Sequence, residues 1–99
     1  MTAIDRVQSG TDTAWDQGLY VLHVTKRHGS SLEGVRIISR GYGEEATIVS
    51  ADTGTISQGP SCVVSVADDN AVKITLQNAR SEKGKTRTQF LEFFQVLHR

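Results

Sequence analysis

Ninety-nine residues, 37% of them apolar, make one domain with room for a single modest core. Eleven basic and eleven acidic side chains cancel, so no global field draws the chain to nucleic acid or to a membrane surface. No apolar run approaches the ~18 residues of a membrane-spanning helix, and one cysteine, Cys62, cannot build a disulfide framework.

Residues 1–18 are polar, with turn signals at Ser9-Gly10-Thr11-Asp12 and Asp16-Gln17-Gly18, and they read as an edge strand or a frayed end anchored by Trp15. The start, Met1-Thr2-Ala3-Ile4-Asp5-Arg6, has no apolar stretch of the signal-peptide kind. The expectation is either a cytosolic protein or a domain excised from a larger one. Leu19 to Lys26 is the first strand, with Tyr20, Leu22 and Val24 on one face and Val21, His23 and Thr25 on the other. A turn over Arg27–Ser31 leads to a second strand, Val35 to Ser39. Gly41-Tyr42-Gly43 with Glu44-Glu45 makes the next break.

Thr47 to Ala51 is a third strand, and Gly54 separates it from a fourth at Thr55–Ser57. Gly59-Pro60 ends that piece, because proline cannot donate to a central ladder. Cys62 to Ala67 is nearly all apolar and reads as a buried fifth strand, with Cys62 a small core side chain. Asp68-Asp69-Asn70 reads as a turn. Val72, Ile74 and Leu76 then alternate with Lys73, Thr75 and Gln77, the clearest half-buried strand in the chain. Ser81 to Lys85 is a charged hairpin loop. In Thr86 to Leu97 the residues Phe90, Phe93, Phe94 and Leu97 have helical spacing, yet the threonines and three phenylalanines favour a strand pairing back across the hairpin. Seven or eight short, mainly antiparallel strands predict an all-β domain over residues 1–99: a sandwich, an open jelly roll or a half-open barrel.

Signals for chemistry are weak. Gly84-Lys85-Thr86 resembles the end of a phosphate-binding loop, but position 79 is Ala where that motif needs Gly, so a hairpin tip is expected. His23, His28 and His98 are scattered without metal-ligand spacing. Asp68-Asp69-Asn70 lacks the spacing of a calcium loop. No nucleophile elbow is present. Arg80, Lys83, Lys85 and Arg87 cluster around one hairpin, as a solvated tip or as a site for phosphate and other anionic groups. The residues point to no enzyme and no cofactor.

The order of the strand patterns carries more. Leu19-Tyr20-Val21, then Val24-Thr25-Lys26-Arg27-His28-Gly29, then Leu32-Glu33-Gly34-Val35-Arg36-Ile37-Ile38 precede Ile48-Val49 and Ala51-Asp52-Thr53-Gly54-Thr55-Ile56. Val72-Lys73-Ile74-Thr75-Leu76-Gln77-Asn78-Ala79-Arg80 and a Phe-rich closing segment follow. Over residues 19–97 this order resembles the periplasmic domain of the lipopolysaccharide-export permeases, the LptF/LptG type. Ala79 departs from it, standing where that family commonly has Gly.

The resemblance implies a periplasmic β-jelly roll of an inner-membrane protein, serving lipopolysaccharide transport and outer-membrane biogenesis. Its flanking membrane helices would lie outside this chain. In such an ABC transporter a second permease subunit is the partner, and an ATPase dimer acts through the membrane part. The jelly roll passes the lipid to anchor or bridge proteins of the export system joined by β-strand addition. No nucleic acid is implied. An apolar groove would hold the acyl chains, and the inward candidates for lipid contact are Tyr20, Leu22, Val24, Ile37, Val49, Ile56, Val64, Ile74, Leu76 and Phe94. The alternative is a β-sandwich interaction module of a phage, secretion system or adaptor, in which the same side chains only fill a core.

Overall fold

The computed structural model describes residues 2–41, 45–60 and 67–99. After a short 3-10 turn (Ala3–Arg6) come β1 (Thr11–Trp15), β2 (Tyr20–His28), β3 (Ser31–Ser39), β4 (Thr47–Pro60), β5 (Ala67–Lys83) and β6 (Thr86–His98). The six form one sheet in the order of the chain, each antiparallel to the next. The fold is all-β, as expected, and the sheet is not closed. β1 and β6 are its edges.

Several boundaries differ from the sequence expectation. The third and fourth predicted strands are one strand, β4, because Gly54 is not a break. A Cβ there would stand 2.7 Å from the Thr75 carbonyl oxygen, so the glycine permits close approach of β5. Asp68-Asp69-Asn70 is not a turn: Gly59 pairs with Asp68 and Pro60 with Ala67, beyond a bulge at Gln58/Gly59, so β5 starts at Ala67. Ser81 to Lys83 also belong to β5, and the loop shrinks to Gly84-Lys85, with Gly84 at φ 58°. The segment from Thr86 is a strand. The expected strand from Cys62 lies, up to Val66, outside the described residues, as does Tyr42-Gly43-Glu44.

One irregularity organises the sheet. In β3 the inward residues Leu32 and Val35 stand three positions apart, not two. The same holds for Ala51 and Gly54 in β4, Leu76 and Ala79 in β5, and Phe90 and Phe93 in β6. Between them two successive residues face outward: Glu33-Gly34, Asp52-Thr53, Gln77-Asn78 and Leu91-Glu92. The registers on either side set Thr25, Gly34, Asp52, Asn78 and Leu91 in one line across five strands, and the ladder pairing skips that line. Gly34 at φ 61° and Asn78 at φ 51° supply the left-handed backbone that reverses the alternation, as a bulge does.

This crease divides the sheet into two walls whose inner faces share one core. The first wall supplies Leu22, Val24, Val35, Ile37, Val49, Ala51 and Ala79; the second supplies Leu32, Ile56, Val72, Ile74, Leu76 and Leu97. Trp15, Ala3 and Val7 join them from the N-terminal segment. The backbone N–H of Asp16, just past β1, donates to the His98 carbonyl at 2.6 Å and brings the first and last strands together at one corner.

Candidate functional site

The ten side chains expected to touch lipid do not share one environment. Leu22, Val24, Ile37, Val49, Ile56, Ile74 and Leu76 lie in the common core, each at most 6% exposed. Tyr20 is half-buried and packs against that core from its edge. Val64 lies outside the described residues. Phe94 is not inward: it is 60% exposed on the outer face, with the Lys73 ammonium 5.0 Å from its ring centroid. The crease is the reason, since it makes Phe90, Phe93, Gln95 and Leu97 the inward set of β6 and sends Phe94 out.

Where the walls part, the interior is open. Tyr20, Ile37 and Val49 on the first wall face Phe93 on the second, and the polar Ser39, Thr47, Ser81 and Gln95 with Phe90 complete a cleft of about 200 Å³. Phe90 and Phe93 meet across the crease with ring centroids 5.6 Å apart and planes tilted by 51°, a favourable aromatic geometry. Phe90 is 37% exposed, so one rim of the cleft is already apolar and wet. Sequence reasoning missed Phe90 and Phe93, because spacing of three reads as helical when the strand is assumed regular.

The two edges differ. β1 is five residues long, and the Arg6 guanidinium donates to its Ala14 carbonyl at 3.0 Å while covering the Trp15 ring at 4.6 Å from its centroid. β6 is thirteen residues long and carries three of the four large exposed apolar side chains among the described residues: Phe90, Leu91 at 86% and Phe94. Its last part is occupied, by Asp16 at His98 and by the Gln95 amide at the Val96 carbonyl, 3.2 Å.

Groups with acid–base or ligand character lie outside the cleft. His23 Nδ1 meets Asp12 Oδ1 at 2.5 Å across β1 and β2. Asp5 accepts from the Thr2 hydroxyl at 2.8 Å and the Thr2 N–H at 3.3 Å, and these bonds hold its carboxyl below the usual carboxylate range. No group of three or more His, Cys, Asp or Glu among the described residues is placed to hold a metal ion. Arg87 reaches Glu82 at 4.0 Å near the hairpin tip, whereas Arg80 lies apart from the tip, beside Asp52 at 3.9 Å.

No protein-family model matches this chain, and no curated protein matches it.

Proposed function

We propose that the chain is a creased β-module that receives the acyl part of an amphipathic lipid, as the periplasmic jelly roll of a lipopolysaccharide-export permease would. The observation that carries this reading is the cleft between the walls, where Tyr20, Phe90 and Phe93 present apolar surface over the buried Ile37 and Val49. An interior open at one end with a ring pair at its rim suits a hydrocarbon chain, and Ser39, Thr47, Ser81 and Gln95 at the same opening suit the polar part of an amphipathic molecule. The long β6 edge supports the same reading, since an unpaired strand can accept a neighbour and extend the interior into a second sheet.

A photo-reactive phenylalanine analogue at Phe90 or Tyr20 tests it. With lipopolysaccharide present, adducts are expected at both positions and not at Val21, which faces outward. Absence of adducts at both inner positions sinks the reading.

A second reading, an interaction module that carries no lipid, is favoured by a different observation. Seven of the expected lipid contacts are closed into the core, and the largest exposed apolar side chains lie instead along β6. On that reading adducts form with protein at Leu91 and Phe94 and not with lipid at Phe90.

A further inference from the structure

The outer face of the first wall carries a polar row that no single stretch of sequence contains. The strand registers set Asp12, His23, Arg36, Ser50, Arg80 and Gln89 side by side, one from each strand. Adjacent strands are about 4.8 Å apart, so Arg36 and Arg80 flank Ser50 from its two sides. A shallow groove of about 240 Å³ lies here, lined by His23, Thr25, Arg36, Ser50, Asp52 and Arg80 among others.

The hydrogen-bonding capacity of this groove is largely unspent. The Arg36 guanidinium has no hydrogen bond or ion pair among the described residues. Arg80 has one long contact, 3.9 Å, to Asp52, whose side chain is 93% exposed and lies towards solvent. The His23 ring is held by Asp12 through Nδ1, leaving Nε2 as its other polar atom. The Thr25 hydroxyl is committed to the Gly34 carbonyl at 3.1 Å and offers nothing further as a donor. Two guanidinium groups astride a hydroxyl match a tetrahedral oxyanion, which presents several oxygens to donors arriving from different sides. Duplex nucleic acid does not fit one local site on a chain of zero net charge.

We propose that this groove binds a single phosphate group, gripped by Arg36 and Arg80 with the Ser50 hydroxyl donating between them. Asp52 opposes the anion and limits affinity. The groove lies on the face opposite the cleft, so this inference stands or falls independently of the lipid reading. The phosphate has two chemical sources: a soluble sugar phosphate or a lipid headgroup.

Amide spectra of the whole chain, titrated with glucose 1-phosphate, provide the first arm. Sedimentation with phosphatidylcholine vesicles, with and without phosphatidic acid, provides the second. The expected result is a saturable shift of the Arg36, Ser50 and Arg80 signals, or binding that requires phosphatidic acid. Either is weakened about tenfold by Arg36→Gln and lost in the Arg36→Gln/Arg80→Gln double variant. Shifts with the sugar phosphate identify a soluble ester; phosphatidic-acid binding without them identifies a headgroup. The proposal is overturned if neither probe binds, if binding survives the double variant, or if Lys83→Gln/Lys85→Gln at the hairpin tip weakens it equally. All three variants change exposed side chains, and a dispersed spectrum verifies folding in each.

Discussion

Arg27 and Val7 are joined by a bond between a guanidinium on β2 and a carbonyl past the N-terminal turn. Arg27 Nη1 donates to the Val7 oxygen at 2.8 Å and to the Ile4 oxygen at 2.6 Å, while its Nε donates to the Gly29 oxygen at 2.8 Å. Residues 3–7 lie across the open side of the second wall and put Ala3 and Val7 into the core. Arg27→Ala leaves two part-buried carbonyls without this donor. A loss of about 2 kcal/mol is expected, read as a lower urea midpoint with little change in slope. A midpoint shift equivalent to less than about 0.5 kcal/mol would show that the N-terminal turn is held by packing alone.

The crease sets a second expectation. A Cβ at Gly34 would stand 2.5 Å from Thr25 Oγ1 and 2.9 Å from Thr25 Cβ, in a backbone at φ 61°. Gly34→Ala therefore combines left-handed strain with a clash that no rotamer of Thr25 removes. The expected cost is about 2–3 kcal/mol, measured by thermal or urea unfolding. Gly10→Ala is the comparison: it has positive φ but nothing within 4 Å of the added atom, so it costs about 1 kcal/mol.

Core and cleft separate under substitution. Leu76 is fully buried, and Leu76→Ala is expected to cost about 2–5 kcal/mol of stability. Phe90 is 37% exposed at the cleft rim, and Phe90→Ala is expected to cost less, about 1 kcal/mol; on the lipid reading proposed above it also reduces adducts formed from Tyr20. Equal loss of stability in the two variants would contradict the division between a filled core and an open rim.

The β6 edge predicts behaviour at high concentration. Leu91→Lys changes a side chain that is 86% exposed on the outer line of the crease. Stability is expected to stay within about 0.5 kcal/mol of the parent. Static light scattering should fall, because a charge on a long apolar edge opposes strand addition. Unchanged scattering would show that the β6 edge does not mediate strand addition.

Asp5 gives a pH signature. Its folded-state ionisation is shifted down, chiefly by the Thr2 hydroxyl and then by the Thr2 N–H. A depressed carboxylate adds stability that is fully present above its ordinary titration range and fades as pH falls through the folded value. The stability difference between the parent and Asp5→Asn should therefore shrink in acid and level off above about pH 5. A difference that grows as the pH is lowered would reverse the assigned direction.

Strand content and many alternating faces were legible in the residues. Leu22 and Val24 on β2, and Ile74 and Leu76 on β5, face inward together as period-two reasoning requires. The crease was not legible. It depends on Asn78 adopting positive φ, which its type tolerates but does not announce, and on Leu91 and Glu92 facing the same way with no turn residue to mark it. The helical spacing of Phe90, Phe93 and Leu97 was a trace of that interruption: a step of three across the crease, then steps of two through Gln95. Phe94 fell on the wrong face for the same cause. The polar row of His23, Arg36, Ser50 and Arg80 was hidden differently, since only the registers bring such distant positions together.

The bond from Asp16 to His98 has a kinetic side. Every ladder among the described residues joins neighbours in sequence, so hairpins can form independently and zip onto one another. That corner bond instead joins the end of β1 to the end of β6, so its closure spans the longest stretch of chain and is expected after the intervening strands pair. It is expected to set last and open first, and deuterium uptake at the Asp16 amide ahead of the core-strand amides is the measurement that checks this.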